Sequence, residues 1–238
     1  DPRDLRYIDG KLYYKDMRID MIYRRIVTVE FIEKSQEIPD LIEAYRDGAV
    51  CIIGSLRSQI MHNKIIFKIL HDIDTHEFLT EEEIEFIKKH IPYTEEFAED
   101  KRIFTEVKNN KNKYIVKPMD SFASQGVHTG RDYTTDEWEN ILENCWEKDY
   151  LVQQFIDPPT RPFILFDEEG NIDVEDFKLN IGVYMYNEQF AGIYTRISRE
   201  NIIFGREGYY SIPNMLIRFK TTHPFLSVGM RDSAVRNK

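Results

Sequence analysis

One short apolar strand that ends in Lys-Pro constrains the fold more than any other stretch of this sequence. Residues 114–116 (Tyr-Ile-Val) are apolar and β-forming, and Pro118 cannot donate a hydrogen bond to a sheet, so the pattern predicts a buried strand that presents Lys117 where the strand ends. The small and polar residues that follow offer backbone N–H groups to an anion such as a triphosphate. They include Ser121, Ala123, Ser124, Gly126, Thr129 and Gly130. The stretch therefore indicates a phosphate site, although a strand, a surface lysine and an ordinary loop would give the same pattern.

Composition excludes several classes of function. The 238 residues are 42% hydrophobic and 31% charged, which is typical of a globular protein, and the net charge of −10 argues against a nucleic-acid binder while it leaves room for a local nucleotide pocket. Cys51 and Cys145 lie among apolar residues and are predicted to be small core residues in a reducing, cytoplasmic environment. No apolar run approaches the ~20 residues of a membrane span, so we expect no membrane partner.

The first part of the chain alternates strand and helix patterns. Asp9-Gly10 predicts a hairpin between residues 5–8 and 11–14, residues 19–29 favour a strand, residues 38–48 an amphipathic helix, and residues 49–53 a short buried strand. Arg24 and Arg25 lie in the strand predicted at residues 19–29. A pair of arginines there can clamp a carboxylate or phosphate, or it can be solvated or ion-paired.

The patterns continue through the middle of the chain. Residues 56–71 predict a helix that is buried on most of its circumference and contains Lys64, and residues 103–107 predict a strand. Thr80 with Glu83, and Thr134 with Glu137, are capping boxes that predict two further helices. Residues 150–156 predict a strand that Pro158-Pro159 closes at the edge of a subdomain.

The second half is predicted to be antiparallel. Strand patterns at residues 163–166, 177–186 and 189–198 are separated by tight turns. Strands here and alternating elements before them indicate an α+β or α/β architecture with at least two lobes.

Six short motifs, taken in order, resemble the circularly permuted ATP-grasp proteins, the relatives of glutathionylspermidine synthase. They are residues 19–25, 38–48, Asn63-Lys64, Val116-Lys117-Pro118, Val152-Gln153-Gln154 and residues 192–198. Each motif is weak alone, and their succession from residue 19 to residue 217 is what makes the resemblance specific.

The resemblance implies an ATP-grasp fold in which ATP lies between two lobes. Residues 1–58 would be the C-terminal part of a pre-ATP-grasp α/β domain. Residues 59–220 would form the ATP-grasp domain, with a small lobe at about residues 100–157, and residues 221–238 would form a C-terminal tail.

The resemblance also implies roles for individual residues. Lys64 and Lys117 would contact phosphate oxygens, and the mobile phosphate loop would run from Asp120 through Ser121 and Ser124 to Gly126. The strand that faces adenine would carry Gln153 and Gln154, and Arg196 would stabilise charge during phosphoryl transfer. Arg24 and Arg25 would bind the acceptor substrate.

The implied activity is ATP-dependent ligation of a small carboxylate to an amine or to a peptide-like acceptor, through an acyl phosphate. ATP and Mg²⁺ are the implied cofactors. This sequence has Phe204 and Tyr209-Tyr210 where relatives often carry Asn and Gly-Gly, so the metal ligands stay unknown; Glu175, Asp176 and Asn180 are positional guesses, and a solvated acidic turn explains them equally well. A catalytically inactive ATP-binding module and a structural or interaction domain are therefore alternatives.

The start of the motif order raises the question of completeness. The sequence begins at Asp1, and only a hairpin precedes the strand predicted at residues 19–29. We therefore expect a longer protein whose N-terminal segment completes the substrate site near Arg24 and Arg25, and an exposed strand edge that favours a homo-oligomer.

Overall fold

The computed structural model describes residues 1–166, 169–203 and 208–215. Phe204 and the tail predicted at residues 221–238 lie outside this part of the chain. Two compact units divide the protein, Asp1–Asp157 and Pro158–Lys238. The division coincides with the Pro158-Pro159 pair, where the sequence predicts a subdomain edge. A domain boundary near residue 58 stays a prediction.

The first unit begins with an antiparallel meander followed by a parallel strand pair. The meander consists of β1 (Leu5–Ile8), β2 (Lys11–Tyr14) and β3 (Met17–Ile19), and the pair consists of β4 (Met21–Tyr23) and β5 (Cys51–Ile53), with α1 (Thr28–Glu33) and α2 (Pro39–Arg46) between them. Asp9 and Gly10 both have positive φ, as a two-residue hairpin turn requires, so the predicted hairpin is confirmed. Leu12, Phe31 and Leu41 belong to one buried apolar cluster that stabilises these elements.

Short helices occupy the next part of the first unit. They are α3 (Gln59–His62), α4 (Ile66–Ile69), α5 (Ile73–His76) and α6 (Glu81–His90). The predicted capping box is present at α6, because the Thr80 hydroxyl accepts from the Glu83 N–H and the Glu83 carboxylate accepts from the Thr80 N–H. In the part of the chain that the structure describes, no helix is both long enough and apolar enough to cross a membrane.

A four-stranded antiparallel sheet completes the first unit. Its order is β6 (Thr94–Glu96), β9 (Tyr150–Gln154), β7 (Tyr114–Pro118) and β8 (His128–Thr129), and α7 (Lys101–Asn109) and α8 (Thr135–Cys145) pack on one of its faces. Val116, Val152 and Trp138 are almost completely buried between this face and the helices. Strand residues alternate between faces, so Lys117 lies on the opposite face from these core residues.

The described residues of the second unit form one antiparallel sheet. Its strands are β10 (Thr160–Phe166), β11 (Ile172–Tyr186), β12 (Gln189–Ser198) and β13 (Tyr209–Ile212), paired in that order. The three strands predicted in this half are confirmed, and Asn187 and Glu188 form the predicted tight connection with positive φ at both residues. Tyr209-Tyr210 begins β13, a strand that the sequence did not reveal.

The single helix predicted over residues 56–71 is wrong. A 3-10 turn at Leu56–Ser58 precedes α3 and α4, and the chain leaves the helical path between these two helices. The Asn63 side-chain oxygen accepts from the Ile65 N–H at 2.9 Å, and the Lys64 N–H donates outside the helix, to the Met119 carbonyl at 2.8 Å. Ile60 and Met61 are exposed, so the predicted burial is wrong as well.

The strand predicted at residues 103–107 is also wrong, because these residues lie in α7. Their β-branched and aromatic side chains favour a strand locally. Ile103, Phe104 and Val107 nevertheless follow a helical spacing and pack into the core, while the Asp100 side chain caps the helix by accepting from the Arg102 N–H. Tertiary packing outweighs the local propensity here.

The long strand predicted over residues 19–29 is interrupted. β3 and β4 are separate, and α1 begins at Thr28. After β4 the Arg24 guanidinium donates to the carbonyl oxygens of Gly54 and Ile26, which fixes the chain in a turn. Cys145 is buried as predicted, but Cys51 is exposed.

Candidate functional site

Lys117 is a largely buried ammonium group on the face of the sheet opposite α7 and α8. Burial lowers its pKa from 10.5 to about 8, and the neighbouring charge of Lys64 adds to this effect. The Lys117 Nζ donates to the Gln153 Oε1 at 2.6 Å. This lysine is therefore held in one position, and its environment favours an incoming negative charge.

A chain of hydrogen bonds orients the Gln153 amide. Thr94 donates its hydroxyl proton to the Pro92 carbonyl at 2.9 Å, and Gln153 donates from Nε2 to the Thr94 oxygen at 2.7 Å. The amide oxygen of Gln153 consequently points to Lys117. Gln153 is a buried positioning residue for the lysine.

Lys64 reaches the same region from the break between α3 and α4. Its Nζ donates to the Ser121 carbonyl at 2.8 Å, and its pKa is lowered because burial outweighs the attraction of Asp120. Lys64 also lowers the pKa of Lys117 through its charge, so the two ammonium groups are close enough to repel each other. A polyanion would relieve that repulsion.

The loop after β7 has an unusual backbone. Ala123, Ser124 and Gly126 have positive φ, and the Ser121 hydroxyl donates to the Gln125 carbonyl at 3.2 Å. A Cβ at position 126 would come within 2.7 Å of the Tyr150 hydroxyl, so glycine is needed there for space as well as for backbone geometry. Backbone N–H groups in such turn conformations can form anion-binding nests. The Gln125 and Val127 N–H groups already donate within this loop, to the Phe122 and Ser124 carbonyls.

Asp120 fastens this loop to α3. Its carboxylate accepts from Gln59 Nε2 at 2.6 Å and from His62 Nδ1 at 3.0 Å. Sequence reasoning missed Gln59 and His62 as partners of the loop. Their spacing of three residues on one helical face, just before Lys64, was the available signal.

The two predicted arginines of the N-terminal part differ in their contacts. Arg24 donates to three backbone carbonyl oxygens and, at 3.3 Å, to the Ser58 hydroxyl, directly before α3. Arg25 is exposed and has no carboxylate partner among the residues that the structure describes. Arg24 therefore has a structural role, while Arg25 is available to a ligand.

In the second unit, Arg196 lies on β12 opposite Asn180 on β11. Its Nη2 donates to the Asn180 Oδ1 at 2.9 Å, and its guanidinium lies 5.6 Å from the Tyr194 ring centre. Asp176 shares the Asn180 face of β11 because both have even numbers on one strand, whereas Glu175 points to the other face and pairs with Arg199 at 2.6 Å. Among residues 1–166, 169–203 and 208–215, no group of three or more His, Cys, Asp or Glu side chains is arranged to hold a metal.

A comparison of the sequence with protein families identifies the family of the chain. The sequence profile of the circularly permuted ATP-grasp type 2 proteins matches residues 1–198, from β1 to the end of β12. The chain belongs to this family. No curated protein matches the sequence. Membership implies ATP-dependent ligase chemistry in general, and ATP-grasp enzymes generally use ATP with Mg²⁺.

The first unit of the ATP-grasp chain brings several of its predicted nucleotide residues together. Lys64, Lys117, Asp120, Ser121 and Gln153 converge in the first unit, in direct contact or in successive contacts, and Ser124 and Gly126 continue the same loop. Gln154 is exposed on the opposite face of the sheet from Gln153, next to Tyr114. Arg196 belongs to the second unit of the ATP-grasp chain.

Proposed function

We propose that this chain is a carboxylate–amine ligase, similar to glutathionylspermidine synthase, that acts through an acyl phosphate. The observation that carries the proposal is the pair formed by Lys64 and Lys117. Both ammonium groups have pKa values that burial lowers, and the charge of Lys64 adds to the lowering of the Lys117 pKa. Two like charges held together in a poorly solvated place destabilise the free protein, and they are expected where a polyphosphate binds between them.

The residues of the first unit would position ATP. Lys64 and Lys117 would neutralise phosphate oxygens, with Gln153 holding Lys117 in place, and the N–H groups near Ser124 and Gly126 would close over the phosphates. A substrate carboxylate would attack the γ-phosphate, and an amine would then displace the phosphate from the resulting acyl phosphate. The protein would act mainly by positioning and by neutralising charge.

Arg196 would stabilise the charge of the phosphoryl group in transfer. Its fixed contact with Asn180 on the neighbouring strand supports a positioned guanidinium. Mg²⁺, when bound, would supply positive charge that neutralises the phosphates. Asp176 fits as a ligand better than Glu175 or Asn180, because Glu175 is already paired with Arg199 and the Asn180 Oδ1 already accepts from Arg196. A magnesium site of one or two oxygen side chains completed by phosphates needs no larger cluster.

A screen for products tests this proposal. The chain is incubated with Mg-ATP and a mixture of small carboxylates and amines, and mass spectrometry detects ligation products while ADP release is followed for each amine. We expect amine-dependent ADP release, which Lys117→Met abolishes and Lys101→Met, an exposed lysine on α7, leaves intact. Nucleotide binding without turnover over the whole screen would indicate an inactive ATP-binding module. A chain that binds no nucleotide would be a structural or interaction domain.

A further inference from the structure

A cavity of about 650 Å³ lies in the N-terminal part of the first unit, apart from the phosphate lysines. Its walls are mainly apolar and come from β3, β4, α1 and α2. Ile19, Met21, Ile22, Phe31 and Leu41 contribute to them. Ligand pockets commonly enclose about 300–1,000 Å³ and have predominantly apolar walls with a few polar groups. The cavity therefore has the size and lining of a small-molecule site.

The charge along this cavity is unevenly compensated. Arg3 and Lys34 line it but are paired with Asp1 and Glu30, each at 2.6 Å. Arg24 also lines it, and its guanidinium donates to neutral carbonyl and hydroxyl oxygens. The side chain of Arg25 is exposed. Arg24 and Arg25 therefore place two positive charges on one wall of the cavity, and no described carboxylate pairs with either of them. The whole chain has a net charge of −10.

We propose that this cavity binds the carboxylate substrate and that this substrate carries an extended apolar body. The inference rests on the proposed ligase function and names the substrate class for it. The carboxylate would contact Arg25, a bidentate partner by geometry, and the apolar body would fill the space beside Met21 and Phe31. Burial of the apolar body would supply affinity, and the guanidinium would supply orientation.

The position of the arginines supports this orientation. Arg24 donates to Ser58, the residue before α3, and Gln59 at the start of α3 donates to Asp120 of the phosphate loop. Helix α3 has four residues and spans only about 6 Å. The charged end of the cavity is thus joined to the phosphate loop through one short helix, and a carboxylate held there is the end of the substrate that must meet ATP.

Three eight-carbon probes test the charge and the apolar body separately. Octanoate, octylamine and octanol are titrated into the full chain without nucleotide by isothermal calorimetry. We expect octanoate to bind and the other two to bind at least tenfold more weakly, since a charge-assisted hydrogen bond corresponds to about a tenfold change or more. Equal binding of all three probes, or no binding of octanoate, would overturn the proposal.

Variants assign the effect to the cavity. Arg25→Gln should weaken octanoate binding about tenfold, and Met21→Trp should remove it by filling the cavity. Arg18→Gln, at an exposed arginine on β3 that pairs with Asp20 and does not line the cavity, is the matched control and should change nothing. Equal losses in Arg18→Gln and Arg25→Gln would refute a cavity site. If the wild-type chain does not bind octanoate but its melting temperature still rises with Mg-ATP, only the proposed substrate class is overturned. If its melting temperature does not rise with Mg-ATP, the proposed ligase function is overturned.

Discussion

Replacing Lys117 with methionine separates the stability of the free protein from its affinity for nucleotide. The pKa of Lys117 is lowered from 10.5 to about 8, mainly by burial, and at about 1.4 kcal/mol per unit this corresponds to about 3 kcal/mol of destabilisation at neutral pH. Methionine removes that penalty but leaves the Gln153 oxygen without its donor, which costs about 1–3 kcal/mol. We therefore expect the ligand-free melting temperature of Lys117→Met to equal or slightly exceed that of wild type.

The pH dependence of this comparison follows from the direction of the shift. Because the folded-state pKa is the lower one, the unfolded chain binds more protons between pH 8 and pH 10.5, and wild-type stability rises with pH across that window. The Lys117→Met protein lacks this rise, so its advantage shrinks as the pH increases. Melting curves at pH 7, 8.5 and 10 measure it, and a difference that does not change with pH would refute the burial argument.

The response to Mg-ATP completes the test. A ligand present at 100 times its Kd stabilises the native state by about 2.7 kcal/mol, which at about 2–4 °C per kcal/mol raises the melting temperature of a chain of this size by about 5–11 °C. Lys117→Met should lose most of this rise, and Lys101→Met should keep it. An unaltered rise in Lys117→Met would remove Lys117 from the nucleotide site.

Three further changes test other parts of the site. Arg196→Ala should lower kcat roughly 10²-fold with a smaller change in ATP affinity, measured by steady-state kinetics, and equal losses in both would assign Arg196 to ground-state binding. Gly126→Ala should destabilise the protein by about 1–3 kcal/mol in thermal denaturation, because its backbone has φ +70° and the added Cβ would come 2.7 Å from the Tyr150 hydroxyl; wild-type stability would contradict this loop geometry. Gln153→Glu should weaken ATP binding at least tenfold by calorimetry, since a carboxylate beside Lys117 competes with phosphate, and unchanged affinity would show that Lys117 is not a phosphate ligand.

Local signals in the sequence predicted the elements that local chemistry decides. The Thr134–Glu137 capping box and the Asp9-Gly10 turn are present as predicted, because their hydrogen bonds and backbone angles involve residues only a few positions apart. The β7 strand, which ends at Pro118, is also present as its apolar run and the proline predicted, although its hydrogen-bond partners in β9 lie more than 30 positions away. In contrast, α7 takes its conformation from packing against the sheet, which no short pattern contains.

The sequence predicted the charged residues of the candidate site, but it did not predict the hydrogen bonds that hold them in position. Lys64 and Lys117 followed from motif order, and the structure brings them together. The orienting bond from Gln153 to Thr94 joins residues 59 positions apart, and the bond from Gln59 to Asp120 spans 61 positions. Such contacts depend on the tertiary fold, so the roles of Gln59 and His62 emerged only from the structure.

With Lys64 as the proposed phosphate ligand, the interruption between α3 and α4 sets local helix content against nucleotide affinity. A continuous helix would rotate successive side chains by about 100° per residue and would direct the Lys64 N–H to the Ile60 carbonyl instead of the Met119 carbonyl. The Lys64 ammonium would then turn away from the phosphate loop. A substitution such as Asn63→Ala raises helix propensity. It would thus stabilise the helical segment while it moves the Lys64 ammonium out of position. Selection for helical content at this position would therefore act against the proposed binding of phosphate by Lys64.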